Sequence, residues 1–167
     1  MTNINSKYLE IIVIFADLLL PLQSISKNSK TKETNQMQIT NEEMKFLLKS
    51  QQGELDAVLM YKALANKVKK EEEAEAFRQL AADEGRHAAV LKQITKTVLK
   101  PRKNMARIMP FLYSILGRKS LYRIIAQGEY AAIDKYTPFV ARFPEIESLK
   151  NDERRHGDVV MGLLVNG

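Results

Sequence analysis

The residues of this sequence best suited to chemistry are glutamates and histidines that recur at a fixed spacing. Residues 83–87 read Asp-Glu-Gly-Arg-His, and residues 152–156 read Asp-Glu-Arg-Arg-His. The chain has 2 histidines, and both lie in these segments. Side chains three positions apart share one face of a helix, so the glutamate and the histidine of each segment point at one target. Each segment therefore predicts half of a metal site.

A second repeat adds one more glutamate to each half. Gln-Gly-Glu occurs at 52–54 and again at 127–129, and the tyrosines Tyr61 and Tyr136 lie two helical turns beyond these glutamates. Two half-sites related by a pseudo-twofold axis make one binuclear centre. The predicted metal ligands are Glu54, Glu84, His87, Glu129, Glu153 and His156.

The charge balance of this set favours a pair of divalent metal ions. Carboxylates crowded into a poorly solvated core repel one another and take up protons. Two divalent cations would cancel the charge of the four glutamates, which makes their burial tolerable. Mixed carboxylate and imidazole ligands suit iron or manganese, and affinity alone does not exclude zinc. We therefore predict two iron ions, with manganese or zinc as alternatives.

Side chains next to the predicted ligands have roles of their own. A metal-bound histidine usually donates its other N–H to a carboxylate, and Asp83 and Asp152 are the obvious acceptors, each for the histidine of the other half. Arg86 and Arg155 can then hold these aspartates by paired hydrogen bonds. Tyr61 and Tyr136 are the candidate catalytic residues, either by hydrogen bonding near the ligands or by being oxidised. The alternative for both tyrosines is aromatic filling of the core.

The elements that must position these side chains are four helices. Thr40-Asn41-Glu42-Glu43 is a capping box, so the first helix begins there. Pro101 is predicted to end the second helix, and Gly117 to precede the third. No segment alternates with period two, which indicates an all-α domain. Two helical hairpins joined by a long crossover between helices 2 and 3 make a ferritin-like four-helix bundle. The residues predicted to face inward are Leu47-Gln51-Glu54-Val58-Tyr61-Ala65-Val68, Phe77-Leu80-Glu84-His87-Leu91-Ile94-Val98, Leu121-Ile125-Glu129-Ala132-Tyr136 and Ile146-Leu149-Glu153-His156-Val160-Leu163.

Composition limits what else the chain can be. It has 167 residues and no cysteine, which excludes disulfides, zinc–thiolate sites and iron–sulfur clusters carried on this chain. We predict an N-terminal extension over residues 1–38, outside the bundle, and a di-iron domain over 39–167. We expect a cytoplasmic protein. The net charge is +6, and the stretch 85–128 contains basic residues but no acid. That stretch suits a membrane or an acidic partner, or is simply a solvated surface; nucleic acid is the less favoured partner.

On these residues the chain resembles the ferritin-like superfamily of di-iron carboxylate proteins, and most closely its rubrerythrin branch. The resemblance covers about residues 41–165. It rests on the second-half motifs and, in the first half, on Gly53-Glu54 with Tyr61, then Phe77, Ala81, Glu84 and His87-Ala88. It implies that Glu54 and Glu129 are terminal ligands, that Glu84 and Glu153 bridge the metals, and that the histidines are nitrogen ligands. Metals in such sites activate dioxygen or peroxide, or oxidise ferrous iron.

Two departures from the rubrerythrin pattern bear on function. Ala132 stands where rubrerythrins carry a further glutamate, and the usual rubredoxin-like domain with its four cysteines is missing. Electrons must then come from an external donor such as a rubredoxin-like protein, or from Fe(II) itself. We expect a homodimeric di-iron oxidoreductase that acts in oxidative-stress or iron defence. The alternative is a non-catalytic module that binds or delivers iron.

A weaker alternative is a membrane-docked di-iron oxygenase. The apolar stretch Ile108–Leu116 is flanked by lysine and arginine, as in helices that lie in a membrane interface. The competing interpretation, which we favour, is that this stretch packs on the bundle or at a dimer interface.

Overall fold

A computed structural model of the protein describes residues 39–165, so the predicted extension lies outside the described residues. Within this range there are four helices and no strand, which confirms the all-α bundle. None of these helices is long and apolar enough to cross a membrane. The helices are α1, Asn41–Ala65; α2, Glu71–Thr95; α3, Asn104–Tyr136; and α4, Ile146–Val165, with a 3-10 turn at Thr137–Phe139 between the last two.

The first helix begins at the predicted capping box. The Glu43 N–H donates to the Thr40 hydroxyl at 3.2 Å, and the Glu43 carboxylate accepts the Thr40 N–H at 2.8 Å. Each side chain thus satisfies a backbone group that a helix N-terminus leaves without an internal partner. This prediction is confirmed.

The second helix ends earlier than Pro101 predicts. Its last residue is Thr95, because Lys96 adopts a left-handed conformation with φ 55°. Gln51 fixes this end from α1: its amide oxygen accepts the Thr95 hydroxyl at 2.6 Å, and its amide nitrogen donates to the Thr97 carbonyl at 2.9 Å. The predicted inward position of Val98 is wrong, since Val98 lies beyond the helix and is 75% exposed.

The third helix consists of two segments that meet at Gly117. This glycine has φ 73° and ψ 166°, a conformation that interrupts the helix and that side-chain-bearing residues rarely adopt. The break separates the mostly apolar segment 104–116, which completes the crossover, from the segment 118–136, which carries Glu129. Gly117 thus divides the crossover from the bundle helix, as its place in the sequence predicts.

The helices pack as two hairpins. α1 pairs with α2 and α3 with α4, while α1 also lies against α3 and α2 against α4. Apolar side chains form two separate clusters, one around Leu64, Phe77 and Leu121, the other around Leu47 and Ile146. All the predicted metal ligands belong to the layer between these clusters.

One close approach between α3 and α4 requires a glycine. A Cβ atom at Gly157 would lie 2.3 Å from the ring of Tyr130, whose hydroxyl donates to Asp158 at 2.8 Å. At Gly162, one turn further along α4, a Cβ atom would meet nothing within 4 Å. The contact with Tyr130 therefore sets how closely these helices can pack.

These two glycines give a matched test of packing. Gly157→Ala should lower the free energy of unfolding by about 1–3 kcal/mol, because the methyl group overlaps the Tyr130 ring. Gly162→Ala should instead raise it by about 1 kcal/mol, since alanine favours the helix and has room. Urea unfolding of both variants checks the pair. Equal effects of the two substitutions would contradict this packing.

Candidate metal centre

The layer between the apolar clusters holds a compact group of buried ligand atoms. Glu84, His87, Glu153 and His156 each present one such atom, and these atoms all lie within 4.8 Å of one another. All four side chains are at most 2% exposed. The repeated Glu-x-x-His segments are thus brought together from α2 and α4, which face each other across the bundle.

The glutamate from α2 lies between the two histidines. One Glu84 oxygen is 3.1 Å from His156 Nδ1, and the other is 3.3 Å from His87 Nδ1. Glu153 is 3.5 Å from the same nitrogen of His87. The two imidazole rings are 5.4 Å apart, centre to centre. Glu84 thus presents one oxygen toward each histidine and would take part in holding a metal.

The remaining two glutamates border this group and are held by tyrosines. The Tyr136 hydroxyl donates to Glu54, and the Tyr61 hydroxyl donates to Glu129. Glu129 also lies 3.7 Å from His156 Nδ1. Each hydrogen bond joins α1 to α3 and occupies one carboxylate oxygen, which leaves the other available to a metal. All six side chains named by the sequence therefore share one layer.

Several buried atoms of the layer have no hydrogen-bond partner, and they are the atoms a metal would contact. They are Nδ1 of both histidines and one oxygen each of Glu84 and Glu153. A buried polar atom without a partner costs roughly 1–3 kcal/mol. Convergent carboxylate oxygens and imidazole nitrogens are the donors that iron and manganese accept. The residues present therefore fit a metal site.

The other ring nitrogen of each histidine faces an aspartate from the opposite half. His87 Nε2 lies 3.1 Å from Asp152, and His156 Nε2 lies 3.3 Å from Asp83. When Nε2 carries the proton and donates it to the aspartate, Nδ1 keeps its lone pair directed into the layer. The aspartates thus set both the tautomer and the orientation of the rings.

The two aspartates are in turn held by arginines. Arg155 donates to Asp83 at 2.6 Å and to Asp152 at 2.9 Å, so one guanidinium joins the two halves. Arg86 donates to Asp83 alone. These contacts hold the pKa of both aspartates below their usual value although burial opposes ionisation. The acceptors of the histidine protons therefore remain charged.

Without metal, the layer holds protons. Burial lowers the pKa of a histidine, but the hydrogen bonds and charges of the surrounding glutamates raise the pKa of both His87 and His156 to about 10. Burial, and then the charge of Glu84, raise the pKa of Glu54 and Glu153 well above the usual value. Burial opposes ionisation of Glu84 as well, yet its hydrogen bonds with Glu54 and both histidines hold its pKa below the usual range.

A buried polar group outside this layer was not predicted from the sequence. Glu73 is 3% exposed, accepts the Tyr122 hydroxyl at 2.5 Å and lies 2.6 Å from Arg118 Nε. The helix α2 begins at Glu71, so Glu73 lies in its first turn. The sequence does contain a signal for this burial. Glu73 precedes Phe77 by four residues, so it lies on the inward face of α2.

Comparison with known proteins places the chain in a family. The sequence model of the rubrerythrin family matches residues 45–164, most of the chain and all six of the layer's glutamates and histidines. The chain belongs to the rubrerythrin family. No curated protein and no solved structure gives a significant match. Membership in the rubrerythrin family, together with the buried glutamate and histidine layer, indicates a metal-binding protein.

The protons held by the metal-free layer predict how metal affinity depends on pH. Metal binding must displace these protons, so affinity for Mn(II) should rise with pH toward about 10. Titrations with Mn(II) at several pH values, with the released protons measured in weak buffer, check this. An affinity that does not change with pH would contradict a site built from protonated ligands.

The same shifts predict the stability of the metal-free protein. Because the folded histidines have a raised pKa, their contribution to stability is complete below about pH 6.5, the unfolded value, and is lost as pH rises through about 10. The raised pKa values of Glu54 and Glu153 act in the same direction. The free energy of unfolding should therefore fall across this window without metal. With metal bound, it should fall less.

The aspartates are expected to matter through the histidines they hold. Asp83→Ala or Asp152→Ala should weaken metal binding about 10–100-fold, the usual cost of losing such a partner. Asp158→Ala is the matched control, since Asp158 lies on α4 but binds Tyr130 rather than a histidine. Equal metal affinity in all three variants would show that the aspartates are only surface charges.

Proposed function

We propose that this protein is a di-iron oxidoreductase that reacts with peroxide or dioxygen, or oxidises Fe(II). The observation that carries the proposal is the buried layer in which Glu84 lies between two histidines whose Nδ1 atoms have no hydrogen-bond partner. An arrangement serving stability alone would place apolar side chains at these inward-facing positions. Six ionisable groups there are explained by a bound cation pair.

The contacts of each side chain indicate its role. Glu54, Glu84, His87, Glu129, Glu153 and His156 would hold the two ions. When bound, the iron pair supplies electrons and polarises an attached oxygen species. The aspartates keep the imidazoles in the orientation that binds metal. The apolar clusters on either side limit the contact of the layer with water, which strengthens the charge interactions within it.

The two tyrosines are the best-placed proton-bearing groups next to the ligands. Tyr61 is fully buried and Tyr136 is 3% exposed, and burial followed by the nearby glutamate charges raises the pKa of both phenols well above the usual value. Each hydroxyl therefore stays protonated and donates to a carboxylate. We assign Tyr61 and Tyr136 the role of holding a proton at Glu129 and Glu54.

Electrons beyond those of the bound ions must come from outside the described bundle. The chain has no cysteine to hold a rubredoxin-type iron. A separate rubredoxin-like donor, or Fe(II) supplied as the substrate, meets this need. The reaction then proceeds in single turnovers unless one of these is present.

This electron balance gives a direct test. The protein loaded with Fe(II) without oxygen should consume peroxide in one stoichiometric burst and then stop, and fresh Fe(II) should restart consumption. Peroxide consumption and iron oxidation are followed together by absorbance. A loaded protein that binds two irons yet leaves peroxide untouched would instead indicate an iron-binding or iron-delivery module.

A matched pair of variants separates the layer from the rest of the surface. Glu153→Gln should abolish the burst or slow it by roughly 100-fold or more, because it removes a charged ligand facing His87. Glu147→Gln makes the same chemical change at an exposed position of the same helix. It should leave the burst as in the wild type. Loss of the burst in both variants would count against the assigned ligands.

A further inference from the structure

A cavity of about 540 Å³ reaches the layer from the groove between α1 and α3. Its walls include Glu54, Glu84, Glu129 and Glu153, so its inner surface is the carboxylate face of the candidate metal centre. A water molecule takes up about 30 Å³ in the liquid. A site for dioxygen or hydrogen peroxide alone does not need this space, whereas sites for small organic ligands measure about 300–1,000 Å³.

The space arises from small residues on both walls. Gly53 and Ala57 line the cavity from α1, and Gly128 and Ala132 line it from α3. Each pair is spaced by four residues and so lies on one helix face. A Cβ atom at Gly53 would meet no atom within 4 Å. Next to the carboxylates, the groove is therefore open where longer side chains would have closed it.

The two ends of the cavity differ in chemistry. Toward the C-terminal end of α1 the walls include the apolar side chains of Met60, Met105, Met109 and Ile125. Arg102 and Asp56 also line the cavity. The other end is lined by Lys49 and Lys135 beside Phe46. From Lys49 to Met60 the helix rises roughly 16 Å, so the cavity is elongated along α1. The carboxylate layer lies between the apolar end and the basic end.

We propose that this cavity binds an elongated amphipathic anion, such as a long-chain carboxylic acid, as an organic substrate or ligand of the centre. Its acidic end lies at Lys49 and Lys135, its apolar end contacts the methionines, and its middle passes the carboxylate layer. Desolvation and the neighbouring charges of Lys135 and Lys45 lower the pKa of Lys49. Burial lowers the pKa of Lys135, while the charges of Glu54, Glu153 and Glu129 oppose that shift. The role of the ligand as a substrate rests on the proposed function, whereas its binding does not.

Binding is measured by calorimetry with dodecanoate and with neutral dodecanol as probes. The protein is loaded with Zn(II), which is redox-inactive, so that the readout is independent of peroxide chemistry. Wild-type protein should bind dodecanoate saturably at one site per chain and bind it more tightly than dodecanol. Lys49→Met should reduce this preference for the anion by about 10-fold. Absence of saturable binding, or a preference that Lys49→Met leaves intact, would overturn the proposal.

Filling the cavity supplies the structural control. Gly53→Leu places a side chain in the open space and should weaken dodecanoate binding at least about 10-fold, and Ala132→Leu from the opposite wall should do the same. Gly162→Leu is the matched control, because a Cβ atom there also meets nothing within 4 Å but Gly162 does not line the cavity. It should bind as the wild type does. Equal weakening in all three, or in none, would overturn the proposal.

The two proposals fail separately. If the wild type binds dodecanoate but shows no burst with peroxide, the ligand site stands and the oxidoreductase proposal falls. If the burst occurs and dodecanoate does not bind, the oxidoreductase proposal stands and the organic-ligand proposal falls.

Discussion

The cost of burying charge governs this bundle. Taking even one carboxylate from water into a protein interior costs several kcal/mol unless partners compensate it. Here four glutamates and two histidines occupy one layer, and two apolar clusters exclude water above and below it. Every helix must therefore place its ionisable ligand residues at the same level along the bundle axis. Three features align the helices in this way. They are the inward-facing positions, the packing of the two hairpins and the close contact of Gly157 with Tyr130.

The hydrogen bonds that compensate the buried charges of this layer join one half of the molecule to the other. Tyr61 of the first hairpin donates to Glu129 of the second, and Tyr136 of the second donates to Glu54 of the first. The contacts of the histidines with the aspartates cross in the same way. A single hairpin would thus present unpaired carboxylates to its own apolar surface. Docking of the two hairpins completes the site, so folding and site formation are one event.

Much of this arrangement could be predicted from the sequence, because it repeats and is periodic. The spacing of the ligands fixes their helix face, and the presence of the same motifs in both halves fixes their number. The capping box at Thr40 locates the start of the first helix within one residue. The matched region of the rubrerythrin family includes all six of these residues.

Other features depend on contacts between distant segments and were not predictable from local sequence. The end of α2 is determined by Gln51, which lies on another helix and binds the backbone beyond Thr95. The position of Pro101 alone therefore predicts an end of α2 that lies too far along the chain. The cavity between α1 and α3 is a second case. The cavity volume depends on the distance between the two helices at a level where both carry small residues. The sequence of neither helix alone specifies that distance.

The sharing of arginines between the aspartates makes the two halves unequal despite their repeated sequence. Asp83 accepts hydrogen bonds from Arg86 and Arg155, whereas Asp152 has Arg155 alone. Asp83 thus has less negative charge left to share with His156 than Asp152 has with His87. His87 should be the more electron-rich ligand. A metal ion should then bind more tightly beside His87 than beside His156.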